Sequence, residues 1–357
     1  MPLVLEQPAL FTALPALRET LPWRSLGRFP TRVHRLPGVV PSRVELWVKR
    51  DDESALEYGG NKVRKLEFLL ADAAARGKSR LATLGGIGSH HVLATAFYGR
   101  ASGFSVDAVV FPQPVNEHVR ETLLADVACG LHLRAAASYA DVPARVLAAR
   151  RGAAWIAPGG SSPTGTLGYV SAGVELAEQI RDGACPPFDV VYVALGSCGT
   201  AAGLWLGLSL GGLGGARVVA VRVVDRMVSN RTATARLARA TAKLIQRRSG
   251  IVLAAPDPAA LTVDHRFYGG GYGVASDAAR AAVDTARLGS LELEPTYTGK
   301  AFAALLSDAR AGLLDGKRVL FWHTFSSADL TPLLARTPGP SAMPPRLRRL
   351  FDRKVDD

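Results

Sequence analysis

Residues 190–216 run for 27 positions without one charged side chain. A bilayer span needs only about 20 apolar residues, so this stretch decides whether the chain belongs in a membrane. Eight glycines interrupt it, at positions 196, 199, 203, 207, 211, 212, 214 and 215. The run divides into an apolar strand over 190–195, a glycine-rich turn and a helix over 199–208. It reads as buried structure of a water-soluble fold, with no membrane association.

The rest of the chain repeats that pattern. Short apolar runs at 44–48, 80–84, 106–111, 153–157, 218–224 and 318–323 predict strands. Longer periodic stretches at 62–75, 89–101, 116–129, 166–181, 232–246, 276–288 and 300–314 predict helices. Continuous Val/Ile/Leu strands alternating with helices imply an α/β architecture, its parallel-rich sheets covered by helices on both faces. The 357 residues allow about two domains at ~100–200 residues each. With 48% apolar residues, disorder and collagen-like repetition are excluded.

Glu6, several prolines and the lack of a basic segment before an apolar core argue against a secretory signal. Cys129, Cys185 and Cys198 are unclustered and odd in number, which argues against a disulfide framework or a cysteine zinc site. A reducing cytoplasm is the expected compartment. The net charge is +12, and 35 of the 43 basic residues are arginine. Arg231, Arg236, Arg239, Arg247 and Arg248 fall on one predicted helix, and Arg346, Arg348, Arg349, Arg353 and Lys354 crowd the C-terminus. A nucleic-acid binder would interleave such charge with aromatics or carry a known motif. Neither is present, so the charge fits attraction of small anions better, and no nucleic-acid partner is expected.

Three segments can carry chemistry. The first is Gly59-Gly60-Asn61-Lys62-Val63-Arg64-Lys65-Leu66-Glu67. Asn61 suits the N-cap of the following helix. Leu66, Leu69, Leu70 and Ala73 stand at +4, +7, +8 and +11 from Lys62, so Lys62 shares their inward stripe. Burial and the positive end of the helix both favour its neutral amine, the form Schiff-base chemistry needs. Alternatively the lysine simply reaches solvent from a helix end. The two glycines before it permit close approach of another molecule.

The second segment, Gly196-Ser197-Cys198-Gly199-Thr200, follows a strand and opens a helix. Bare backbone N–H groups at a helix N-terminus suit an anion such as phosphate, although an empty tight turn would look the same. The third is Gly85-Gly86-Ile87-Gly88-Ser89-His90-His91, with Ser89 as N-cap. Adjacent histidines diverge on a helix and cannot share one metal as an i, i+4 pair would.

Taken together and in this order, these segments resemble the fold-type II pyridoxal-phosphate enzymes, specifically the group of D-cysteine desulfhydrase and 1-aminocyclopropane-1-carboxylate deaminase. Supporting stretches are Pro158-Gly159-Gly160-Ser161, Gly165-Thr166-Leu167-Gly168-Tyr169-Val170, Tyr272-Gly273, Pro295-Thr296-Tyr297-Thr298-Gly299-Lys300 and His323-Thr324. The resemblance implies that Lys62 bonds the cofactor and shuttles the α-proton. It also implies that Lys65 and the turn Ser197, Cys198, Gly199 and Thr200 face the phosphate. Ser89 would handle the substrate carboxylate, and Tyr297 and Tyr272 would be active-site tyrosines. His90 and Thr324 would contact the cofactor. A homodimer is implied, with a larger cofactor domain over 1–72 and 171–337, a smaller domain over 73–170 and a basic tail over 338–357.

Deaminase-type members carry Tyr-Glu-Gly where this chain has Tyr297-Thr298-Gly299. Threonine here, as in the desulfhydrases, favours elimination from a small amino acid: D-cysteine to pyruvate, sulfide and ammonia. The alternatives are 1-aminocyclopropane-1-carboxylate deamination and a divergent pyridoxal-phosphate-binding or biosynthetic role. Three departures bear on that choice. Desulfhydrases have Gln-Ser-Asn-His in place of Gly88-Ser89-His90-His91, and two glycines in place of Phe325-Ser326. His90 reads either as a cofactor contact or acid/base, or as a structural histidine.

Overall fold

The computed structural model describes residues 6–352. Arg353 and Lys354, counted above with the basic C-terminus, lie outside the described residues. The chain begins with α1 (Ala9–Ala13), α2 (Leu17–Thr20), β1 (Val33–Arg35), β2 (Glu45–Arg50) and α3 (Asn61–Ala75). Next come β3 (Arg80–Gly86), α4 (His90–Ala101), β4 (Ser105–Phe111), α5 (Glu117–Ala128), β5 (His132–Ala135), α6 (Val142–Arg150) and β6 (Ala154–Trp155). The third stretch holds α7 (Pro163–Arg181), β7 (Val190–Leu195), α8 (Gly199–Leu210), β8 (Arg217–Arg222), α9 (Arg231–Ser249) and β9 (Leu261–Asp264). Last are α10 (Asp277–Arg287), α11 (Thr298–Arg310), β10 (Arg318–His323), α12 (Thr331–Leu334) and α13 (Pro345–Arg348).

Contacts divide the chain into two compact units. The larger comprises the segment ending at Phe68 and Ser161–Ser327. Its sheet has the order β1-β2-β10-β7-β8-β9. All neighbours are parallel except the β1–β2 pair. From β7 the chain winds outward through β8 and β9, while β10 lies on the other side of β7. The carboxyl ends of β7 and β10 therefore flank a topological switch point, the usual ligand crevice of an open α/β sheet. The smaller unit comprises Leu69–Gly160 and the segment beginning at Ala328. Its sheet, β5-β4-β3-β6, is wholly parallel.

The expected domain cut at 170/171 would divide α7; the units part at 160/161, before that helix starts. The expected tail is also corrected. Arg120 Nη2 donates to Leu350 O at 2.8 Å and Thr337 Oγ1 to Leu124 O at 3.2 Å. These bonds tie the segment to α5 within the smaller unit.

The glycines of the uncharged run explain themselves in α8. Positions 203, 207 and 211 recur every four residues and line one face of the helix. A Cβ on Gly203 would stand 2.4 Å from Tyr169 Cβ, and one on Gly207 2.3 Å from Val170 O. The run thus builds a close α7–α8 pair, and no helix among the described residues is long and apolar enough to cross a membrane.

Arg64 fixes the placement of α3. Its Nη2 bonds Asp51 Oδ1 at 2.8 Å and its Nη1 bonds Glu175 Oε2 at 2.7 Å, all three residues being buried. Tyr169 OH and Trp322 Nε1 also donate to Asp51 Oδ2, at 2.7 and 2.8 Å. Despite burial, the charge of Arg64 and these bonds hold the Asp51 carboxyl down to about 2. Such a buried pair is weak evidence of added stability, because the cost of desolvating its charges offsets their attraction.

Candidate active site in the larger unit

Lys62 is the second residue of α3 and is half-buried. Its Nζ donates to Asn61 Oδ1 at 2.7 Å, and Asn61 Nδ2 donates to Thr200 Oγ1 at 3.2 Å. Asn61 lies inside α3 and does not act as its N-cap as expected, because its side chain is committed to Lys62 and Thr200. The backbone N–H of Asn61 donates to Thr324 O at 3.1 Å. Gly60 supplies the tight entry at φ +90°, with the carbonyls of Thr324 and Phe325 3.2 Å from where a Cβ would be. Burial pushes the Lys62 amine down to about 8, opposed by the charge of Glu294.

One turn further, Lys65 is buried, and burial followed by the Lys62 charge lowers its amine well below the usual lysine range. Its Nζ reaches Ser161 Oγ at 3.5 Å. Ser161 Oγ lies 2.8 Å from Ser197 Oγ and accepts from Gly199 N at 3.1 Å. A Cβ at Gly199 would come within 2.5 Å of Ser161 Oγ and 3.1 Å of Lys65 Nζ, so glycine is required for this meeting. Cys198 turns the chain with φ +69° into α8 and is buried. Lysine, hydroxyls and a helix N-terminus converging on one turn form the donor set of a phosphate site.

Tyr297 precedes α11, and its OH donates to Tyr272 OH at 2.8 Å. A Cβ on Gly196 would meet only the Tyr297 ring, at 4.0 Å. Glu294 is a residue the sequence reading missed. Its carboxylate accepts from the N–H groups of Thr296 at 2.7 Å, Tyr297 at 2.9 Å and Thr298 at 2.6 Å. Thr298 Oγ1 donates to it at 3.0 Å. The Thr298 hydroxyl is thus bound to this carboxylate. Burial raises Glu294 and the three N–H groups oppose that rise. Its charge in turn opposes the burial that brings Lys300 down to about 8. Lys300 Nζ donates to Tyr268 O at 2.7 Å, tying α11 to the loop that carries Tyr272.

These residues fit pyridoxal phosphate. The amine is depressed and held by a neutral amide, the glycine turn gathers donors that suit a phosphate, and an aromatic ring stands at the turn. In the smaller unit, Ser89 Oγ caps α4 by accepting from Val92 N at 3.5 Å. Gly85 leaves room for it, since a Cβ there would be 2.7 Å from Ser89 Oγ. The two histidines diverge as the helix requires. His91 is buried, with Nε2 2.9 Å from Thr83 Oγ1, whereas His90 Nε2 lies 2.9 Å from His118 Nε2.

A family model described as pyridoxal-phosphate dependent enzyme matches residues 24–324. A Pyrococcus furiosus protein provisionally named 1-aminocyclopropane-1-carboxylate deaminase is 34% identical, over 86% of this chain and 90% of its own. Nocardicin C-9' epimerase of Nocardia uniformis subsp. tsuyamanensis is 35% identical, over 89% and 97%. D-cysteine desulfhydrase of Salmonella paratyphi A is 32% identical, over 85% and 96%. The crystal structure of an ACC deaminase homologue superposes with a TM-score of 0.74 at 30% identity, covering 92% of this chain and 99% of that one.

Proposed function

Because the chain belongs to the pyridoxal-phosphate dependent enzymes, we propose that it is a lyase removing the β-substituent and amino group of a small amino acid. D-cysteine, giving pyruvate, sulfide and ammonia, is the first substrate to try. The observation that carries the reading is the Lys62 amine, held by Asn61 in the same unit as the anion turn. Bound pyridoxal phosphate supplies a carbonyl that bonds amines and a ring that withdraws electrons from the substrate's α-carbon.

The protein's part is to hold and to move protons. Lys65, Ser197, Gly199 and Thr200 would hold the phosphate, with Cys198 shaping the turn, and Thr324 and Tyr297 would border the ring. Lys62 Nζ would hold the carbonyl carbon and, once released by substrate, take the α-proton. An amine depressed to about 8 is a better base near neutrality than an ordinary lysine. Tyr272 would act through its bond to Tyr297. On the family resemblance, Ser89 would handle the substrate carboxylate and His90 would contact the cofactor. A cytoplasmic homodimer is the form we expect, on family precedent.

The test is reconstitution with pyridoxal phosphate, followed by D-cysteine, L-cysteine, D-serine and 1-aminocyclopropane-1-carboxylate, with assays for sulfide, oxo acid and ammonia. A visible band that Lys62→Ala abolishes, with sulfide from D-cysteine, supports the reading. No band in the reconstituted wild type would end it, and ammonia from the cyclopropane acid alone would favour the deaminase. A second reading rests on the 35% identical epimerase: α-proton removal and return with the β-substituent kept. Loss of optical activity without ammonia would select it.

A further inference from the structure

Tyr272 stands on a stretch of the larger unit that has little shape of its own. Between β9 and α10 the chain forms neither helix nor strand, and residues 269, 270, 271 and 273 are glycine. Gly269, Gly270 and Gly273 take φ of +70°, +83° and +76°. Backbone of this composition has many conformations to lose, so the place of the Tyr272 side chain is decided by what grips the ends of the stretch.

The grip is on Tyr268, the residue before the glycines. Its carbonyl accepts from Lys300 Nζ at 2.7 Å. Its ring centroid lies 4.2 Å from Arg222 Cζ and 5.7 Å from Lys300 Nζ, so two cations bear on one aromatic face system. Arg222 is itself fixed, with Nε donating to His265 Nδ1 and Nη1 to Val224 O, both at 2.9 Å. A Cβ on Gly269 would lie 3.6 Å from Lys300 Cε, which sets the first glycine alongside the lysine stem.

Lys300 is wholly buried and is the third residue of α11, the helix that Tyr297 precedes. One helix start therefore fixes both tyrosines: Tyr297 directly, and Tyr272 through Lys300 and Tyr268. Their hydroxyls meet at 2.8 Å and close the circuit. A helix holds a side chain more exactly than a loop does, and Lys300 extends that exactness to the glycine stretch.

We propose that Lys300 is a positioning residue for Tyr272: it holds Tyr268 so that the Tyr272 hydroxyl stays on that of Tyr297, and it bears on turnover only through that pair. The proposal rests on the reading above that gives the two tyrosines a part in the site. No bond is made or broken at Lys300.

The experiment uses protein reconstituted with pyridoxal phosphate: wild type, Lys300→Met, Tyr272→Phe and the double variant. Lys300→Gln, whose shorter side chain weakens the same tie, covers the case in which Lys300→Met does not fold. NMR relaxation of nitrogen-labelled glycine amides reads the loop directly. Gly269, Gly270, Gly271 and Gly273 should show order parameters near about 0.85 in wild type and below about 0.6 in Lys300→Met. Gly203 and Gly207 of α8 should not change, as they would if the lysine merely supported the whole fold. Misplacing a group by about 1 Å can cost on the order of a hundredfold, so kcat for D-cysteine should fall at least about tenfold in Lys300→Met. In the Tyr272→Phe background the same substitution should cost nothing further. Rigid loop glycines in Lys300→Met overturn the proposal, as does a loss that recurs in full in the double variant. Tyr272→Phe turning over like wild type overturns the part given to the tyrosines, and the proposal with it. Inertness of wild type toward all four substrates named above ends the lyase reading, and the glycine amides then decide by themselves whether Lys300 holds the loop.

Discussion

Asn61 grips the amine of its neighbour Lys62, with Oδ1 accepting from Nζ at 2.7 Å. A neutral amide in that place orients the amine without adding charge. Asn61→Asp would put a carboxylate at the same distance and favour the ammonium, raising the Lys62 pKa from about 8 by roughly one unit or more. Less neutral amine means slower bonding to the cofactor, by about tenfold per unit below the new midpoint. The rate of pyridoxal-phosphate uptake by the apoprotein against pH measures this. A midpoint that stays put would show that Asn61 does not govern the amine.

Glu294→Gln should move the same midpoint the other way. The Glu294 charge opposes the effect of burial on both Lys62 and Lys300, so removing it lets both amines fall further. Three N–H groups at the start of α11 also lose a charged acceptor, at a cost of roughly 1–2 kcal/mol. Uptake profiles and urea unfolding of one protein sample read both effects. A midpoint that rises would contradict the assignment.

The strands that the sequence hid share one location. β1, β5 and β9 all stand at sheet edges, where one side needs no partner and polar residues such as His34 and His132 are tolerated. The apolar runs that reveal central strands are absent there. Lys62 and the 196–200 turn could be singled out in the sequence because local rules place them: helix stripe, helix start and glycine turn; Lys65 was named only through the family resemblance. Glu294 could not be, since it works through backbone N–H groups that any sequence provides. The pairing of His90 with His118 was equally hidden, being made by the approach of α5 to α4, a tertiary fact with no periodic trace.

Gly207 tests the packing account of the uncharged run. Its missing Cβ would be 2.3 Å from Val170 O and 2.9 Å from Val170 Cα, both backbone-fixed and unable to swing aside. Overpacking of this kind costs about 1–3 kcal/mol. Gly207→Ala should therefore lower unfolding stability by that amount, against the usual gain from adding alanine to a helix. Gly215→Ala, with open space around its Cβ, is the control. A Gly207→Ala protein as stable as wild type would refute the close α7–α8 contact.

Glu67 gives the fold its own pH dependence. Buried in α3, it accepts from Trp23 Nε1 at 3.1 Å and from the N–H groups of Leu26 and Gly27 at 3.0 and 3.3 Å. Burial outweighs those bonds and raises its carboxyl from 4.5 to about 7. A carboxyl raised on folding binds its proton more tightly in the native state, so its contribution is complete below pH 4.5 and is lost as pH climbs through about 7. The ceiling on that loss is on the order of 3 kcal/mol. Glu67→Gln cannot ionise, so the stability of wild type relative to this variant should decline between pH 5 and pH 8, flattening once Glu67 is fully ionised. Urea unfolding at pH 5, 6, 7 and 8 gives the difference directly. A difference constant across that range would mean that Glu67 is already ionised in the folded protein at pH 5, and that the three donors outweigh its burial.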